Sequence, residues 1–464
     1  MQQKLLWFHV TYLRVQPLLL ELFLRKMNSF QDAHYYNLPS QGNVYTYVNL
    51  SLTNGTNKVL FGILKRKVFC CEFTNDGGGG LIPVVKEVPF TYIPAGAEII
   101  SMDAFNRSSN RDNFIIGISI IKVTSEQSAE TYLNVYTEQD IDENASLNLE
   151  SIAQNCLMLE LAFTPYQLYH TYVINQDNSK EVVWLLSGSD VKVHLFREDP
   201  QNHAYCETEI EEIFPEFNAI PSIILWMDIK HTPDLKRRLT AYGCECGVSK
   251  IMVVDSFTGD TLQEFTEYYD APVTRVGLFS FSKVVETQNL DMLSGRGWSK
   301  LEVTERKKIN EWTPWHLLVV NALRVSAVFM DVVENGLKKK LLLPDSDKFD
   351  AAITSCIADI DMDGKPEILL GTFSQMTLVY KYDGKWRLSG SRKFSHAVHS
   401  IGYTDLSGDG AKELIVATMS GIHILQHNPL MNEAFSNNLS TAVWYLKLLQ
   451  LLKPLMISLS SVFS

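Results

Sequence analysis

"DIDMDGKPE", residues Asp359–Glu367, carries carboxylates at its first, third, fifth and ninth positions and a glycine at its sixth. Side chains of like charge packed this densely repel one another. A hard cation relieves the repulsion, because Ca²⁺ takes roughly six to eight oxygen ligands, which alternate carboxylates on a tight loop supply. Gly364 stands where a chain wrapping an ion must turn sharply, and a residue without Cβ reaches φ > 0 at little cost. An EF-hand would also need a bidentate Glu at the twelfth position and a helix on either side. Here the twelfth residue is Leu370, and the flanks "TSCIA" and "ILLGTF" read as strands. The loop is therefore a β-hairpin turn that offers Asp359, Asp361, Asp363 and Glu367 as oxygen ligands.

Forty-six residues on, "DLSGDGAKE" repeats the pattern in register with Asp405, Ser407, Asp409 and Glu413, again before an apolar run, "LIVATM". Both loops feed strand-turn-strand sequences, "ILLGTFSQMTLVYKY" and "LIVATMSGIHILQHN", so a unit of roughly one propeller blade recurs. Two readings of the loops stand: a Ca²⁺ site, or a polar turn whose Asp and Ser side chains cap their own backbone. Four carboxylates against three and a hydroxyl predict that any Ca²⁺ is held more tightly at Asp359–Glu367.

Working outward, the same apolar strand pairs recur along the chain. They are "KVLFGILKRKVFCCEF" from Lys58, "NFIIGISIIK" with "TYLNVYTE", "VVWLLSGSDVKVHLF" from Val182, "RLTAYGCECGVSKIMVVD" from Arg238 and "WHLLVVNALRVSAVFMDV" from Trp315, with the two hairpins behind the acidic loops. Few amphipathic helical stretches interrupt them. The pattern predicts an all-β fold, a β-propeller of about seven four-stranded blades with extra terminal segments. Gly188, Gly243, Gly371 and Gly421 are read as ending one strand and opening the next turn. Because the last unit runs out of strands near Asn428, "NVYTYVNL" (Asn43–Leu50) is expected to complete the final blade. Loops are expected at Thr74–Gly80, Phe105–Asn113 and Val284–Trp312, the last as a partner contact.

The propeller is expected to span residues 27–428 of the 464. Residues 1–26 form an apolar extension interrupted by Lys4, Arg14, Glu21 and Arg25 with no small-x-small cleavage site, so no signal peptide is assigned. Residues 429–464 form an apolar tail, read as a packed or amphipathic helix because Lys447, Lys453 and Pro454 stand in the middle of its apolar run; no membrane span is expected. A net charge of -12 argues against nucleic-acid partners, which call for a concentrated basic face. Seven cysteines without C-x₂-C spacing suggest a reducing compartment, hence a cytoplasmic protein. No G-x-S-x-G, H-E-x-x-H or phosphate-binding glycine loop occurs, and His170, His194, His231 and His423 are read as isolated, so no enzyme is expected.

The acidic loop followed by "PEILLGT" is similar to the FG-GAP repeats of integrin α-subunit propellers, whose hairpin loops hold Ca²⁺. Across the middle of the chain, "FTYIPAGAEIISMDAFN", "SIAQNCLMLELAFTPYQL", "LLSGSDVKVHLF", "LLLPDSDKFD" and "GIHILQHN" resemble the kaptin family, in order from about Asn43 to Asn428. That resemblance implies a non-enzymatic propeller, a scaffold subunit of the KICSTOR complex. There it pairs with a second FG-GAP propeller and a very large scaffold subunit and holds GATOR at the lysosomal surface, restraining target-of-rapamycin signalling when amino acids or glucose fall. It also implies actin filaments as an alternative partner, in lamellipodia and stereocilia. An integrin-like extracellular adhesion module is the remaining alternative. Three features depart from the family: the apolar extension, the "GGGG" insertion at residues 77–80 and the apolar tail.

Overall fold

Every residue of Glu367–Thr372, Glu413–Thr418 and His316–Asn321 is buried. A strand covered on both faces reads as an unbroken apolar run, and it must lie between two neighbouring sheets. The computed structural model describes residues 30–75, 80–108, 111–125, 128–138, 148–175, 179–199, 204–281 and 314–427. In it these strands are the second strands of blades five to seven of a β-propeller with seven four-stranded antiparallel sheets. All seven hairpins anticipated from the sequence form the second and third strands of successive blades. The expectations for residues 1–26, Val284–Trp312 and residues 429–464 lie outside the described residues.

The first strands are Gly42–Ser51, Ala97–Asn106, Pro165–Ile174, Ile224–His231, Val273–Phe279, Ala352–Ala358 and Val398–Thr404. They follow one another round the axis, and the ring closes where the seventh meets the first. Hydrophobic clusters fill the spaces between blades, such as Leu239, Ile251 and Val253 of blade four against Val276, Leu317 and Phe329 of blade five. Glycine governs how closely blades approach. Gly188 ends its strand as expected, but Gly421 begins its own after the turn, and Gly243 and Gly371 lie inside theirs. A Cβ at Gly243 would run into Val273 of the next blade, and one at Gly371 into Val398, so the missing side chain makes room for a neighbouring blade and serves no turn.

Ring closure differs from the sequence expectation. Asn43–Leu50 lies in Gly42–Ser51, the inner strand of blade one, and does not complete the last blade. Completion comes from Gln31–Asn37, which pairs antiparallel with Gly421–Gln426 from Gln31↔Gln426 to Asn37↔Gly421. "QDAHYYN" escaped notice because an outer strand is half exposed and needs no aliphatic run. Neighbouring blades secure it. Arg392 of blade six donates to the Phe30 carbonyl at 2.8 Å and pairs with Asp32, and Tyr36 reaches the Pro83 carbonyl of blade one; within blade seven itself, Leu38 N–H donates to Ser420 O at 2.9 Å.

One ion pair is sealed inside the fold. Arg238, in the second strand of blade four, and Glu216, on the 3-10 turn Pro215–Phe217 that leads into that blade, have side chains 2% and 0% exposed. Their two hydrogen bonds measure 2.7 and 3.0 Å; Arg238 also donates to Ile213 O, Thr240 Oγ1 donates to Glu216, and the Phe214 ring lies 4.3 Å from the guanidinium carbon. Breaking such a pair strands a charge away from water.

Two outcomes follow for thermal denaturation monitored by circular dichroism. A chain lacking Gln31–Asn37 should melt well below the full chain, because it leaves the edge of Gly421–Gln426 unpaired and reopens the ring; an unchanged midpoint would refute this closure. Glu216→Gln should cost about 3–5 kcal/mol, the range for removing one partner of a buried pair, and a midpoint within a degree of wild type would show that the pair does not anchor blade four.

Candidate functional site

Successive antiparallel strands alternate direction, so every connection between a first and a second strand emerges on the same face. Both acidic loops are such connections, in adjacent blades six and seven, and all eight residues singled out in the sequence lie there. Gly364 and Gly410 take φ of +89° and +88°, which lets each loop fold back on its first carboxylate. Asp359 Oδ2 accepts from Gly364 N at 2.8 Å, and Asp405 Oδ2 accepts from Gly410 N at 2.8 Å. The ninth residue of each loop turns inward: Glu367 accepts from Ile360 N at 3.0 Å and Glu413 from Leu406 N at 2.8 Å, each 2% exposed.

Beyond this shared frame the loops differ. In blade six, ligand oxygens of Asp359, Asp361 and Asp363 gather within 4.8 Å of one another, an arrangement with metal-binding potential. Into the same cluster comes a residue the sequence reading missed, Lys381 from the third strand, Met376–Tyr382. Its Nζ contacts Asp361, lies 2.9 Å from Asp363 and 3.8 Å from Glu367. In blade seven, Asp405 also accepts from Gly408 N at 2.6 Å, Asp409 accepts from Ala411 N at 2.8 Å, and Gln426 donates to Glu413 at 3.3 Å. Burial, with the Asp361 charge behind it, pushes the Glu367 carboxyl up to about 8, and burial takes Glu413 to about 7. Burial also raises Asp359 and Asp405. Asp363 feels the same burial, but hydrogen bonds from Lys381 and from the Lys365 backbone, with the charges of both lysines, together outweigh it and hold the group below its usual range.

Beside the blade seven loop, a cleft of ≈ 230 Å³ opens between blades seven and one, lined by Leu406, Thr56, Asn57, Lys58, Glu72 and Asp112, among others. Glu72 is bracketed there by Lys58 at 2.5 Å and Lys86 at 2.9 Å. On the axis, side chains from four blades meet. Tyr45 donates to Leu225 O at 2.9 Å and stacks on Trp226, and the Arg275 guanidinium lies 3.6 Å from the Trp226 ring and 2.5 Å from Thr354 Oγ1. Burial lowers Arg275 to about 10.

Two histidines read as isolated have carboxylate partners: His170 Nδ1 lies 2.7 Å from Asp103, and His194 Nδ1 lies 2.7 Å from Glu207. Asp103 comes from the neighbouring blade and Glu207 from the adjacent strand, so sequence spacing could not show either pair. No hydroxyl or thiol nucleophile is bonded to either histidine among the interactions of the described residues.

The family described as "KICSTOR complex protein kaptin" matches residues 30–436. The mouse (Mus musculus) KICSTOR complex protein kaptin is 36% identical over 395 residues, covering 84% of this chain and 86% of the mouse protein. Among solved structures, a chain of the crystal structure of BBS1N in complex with ARL6DN, soaked with lead, matches over 86% of this chain and 97% of its own at 10% identity and a TM-score of 0.48. The Dos1 propeller covers 86% and 96% at 9% identity and a TM-score of 0.47. The seven-bladed ring and a match that runs from the closing strand through the last hairpin converge, and the chain belongs to the kaptin family of KICSTOR complex proteins.

Proposed function

We propose that the chain acts as a non-catalytic docking subunit of a KICSTOR-type assembly, which brings GATOR to the lysosomal surface and restrains target-of-rapamycin signalling when amino acids or glucose are scarce. The observation that carries this reading is the extent of the family match: it runs through all seven blades, so the whole ring of loop-bearing surfaces belongs to a family described by its complex. A rigid scaffold with variable loops suits protein docking. Family and fold together suggest a non-enzymatic protein. The partners in this reading are a second FG-GAP propeller and a very large scaffold subunit. Attachment to the lysosome is peripheral and runs through them; among the described residues no helix is long and apolar enough to cross a membrane.

Affinity purification of the tagged full chain from fed and starved cells, with mass spectrometry of what is bound, tests the assignment. Recovery of the second propeller and the large scaffold subunit, with GATOR components, is the expected result. Recovery of actin without them would overturn it and move the protein to the cytoskeleton.

A further inference from the structure

FG-GAP resemblance implies a divalent ion in the blade six loop, and the carboxylates there are tested by what they already hold. Each of the four engages backbone through one oxygen: Asp359 Oδ2 with Gly364 N, Asp361 Oδ1 with Asp363 N, Asp363 Oδ1 with Lys365 N and Glu367 Oε2 with Ile360 N. The second oxygens of three of them, Asp361 Oδ2, Asp363 Oδ2 and Glu367 Oε1, face the Lys381 ammonium. Asp359 Oδ1 alone is buried without a hydrogen bond. Ca²⁺ needs roughly six to eight oxygens at about 2.3–2.6 Å, and here the converging oxygens surround a positive charge. A divalent ion would have to expel it, since two cations a few ångström apart in a half-buried site repel strongly.

Blade seven supplies the contrast within the same chain. Strand register places Ile368 opposite Tyr380 and Leu414 opposite Leu425, so the next step outward sets Lys381 by Glu367 and Gln426 by Glu413. The two loops thus receive their third-strand residue at the same point of the fold, an ammonium in one and a neutral amide in the other. The loop with the extra carboxylate has the lysine, and the loop with Ser407 in place of a carboxylate has the glutamine. The one added carboxylate comes with one added cation.

We propose that the Lys381 ammonium is the resident cation of the blade six loop, taking the place of the divalent ion of FG-GAP-type loops, and that this loop stays closed in calcium-free solution. Counting carboxylates ranks Asp359–Glu367 first for Ca²⁺; counting Lys381 with them removes it. The lysine does the ion's mechanical work too, because it ties the connection between the first two strands to the third strand of the same blade.

Calorimetric titration with CaCl₂ and melting of the full chain in EGTA or in calcium test this. The wild type should give the same midpoint in EGTA and in calcium. Lys381→Gln should melt a few degrees lower in EGTA, recover on adding calcium, and show a calcium heat that the wild type lacks and that Asp361→Asn in the same background abolishes. Wild-type calcium binding that is lost in Asp361→Asn would overturn the proposal. Binding kept in Asp361→Asn and lost in Asp409→Asn would support it, by assigning the wild-type heat to blade seven. Should Lys381→Gln fail to fold, the wild-type titration against Asp361→Asn decides alone.

Discussion

A ring of seven sheets is only as strong as its last joint, and here that joint is the pairing of Gln31–Asn37 with Gly421–Gln426. Six blades are each built from consecutive strands; the seventh joins the first described strand to the last three. Everything packed between blades depends on it, because the buried clusters exist only while each sheet is pressed by two neighbours. An open ring would expose one face of blade one and one of blade seven, including Val59, Phe61, Ile415 and Ile424, all at most 2% exposed in the closed form. Burying each such side chain contributes about 1.5–3 kcal/mol, so closing the ring matters more than the six paired positions of one short strand suggest.

Charge inside this apolar frame is handled by fixed partners. Arg238 and Glu216 answer one another at the entry to blade four, Lys58 and Lys86 bracket Glu72 in blade one, and Lys381 enters the acidic loop of blade six. The pairs share a logic: a group held out of water needs a partner with matching geometry, which strand register supplies in blades one and six and the turn Pro215–Phe217 supplies in blade four. Arg275 is different. Among the described residues it sits on the axis with an indole face and one hydroxyl as neighbours and no carboxylate in salt-bridge range.

What the sequence made legible tracks burial. Second strands such as His316–Asn321, Glu367–Thr372 and Glu413–Thr418 announced themselves because both of their faces are covered, which leaves an unbroken apolar run, and the third strands followed as their hairpin partners. Outer strands such as Gln31–Asn37 and Trp386–Lys393 carry polar residues on the exposed side and give no such apolar run. The acidic loops were visible from spacing alone, since their carboxylates are local to one turn. Lys381 was not, because it reaches the loop across a hairpin; only the register that puts Ile368 opposite Tyr380 brings it near. In the same way Asp103 comes to His170 from another blade, a relation that no spacing encodes.

The closing strand also sets a timetable. Gln31 must find Gln426, 395 residues later in the chain. Ribosomes add roughly 5–20 residues per second, so Gln31–Asn37 waits on the order of 20–80 s for the strand it pairs with. During that interval blades one to six can form and stack in order, but the nascent chain has an apolar face at each end of a growing arc. Such surfaces are prone to wrong pairings and to aggregation. The polar composition of "QDAHYYN", which hid the strand from a sequence reading, suits a segment that must remain unpaired in water until the last hairpin leaves the ribosome.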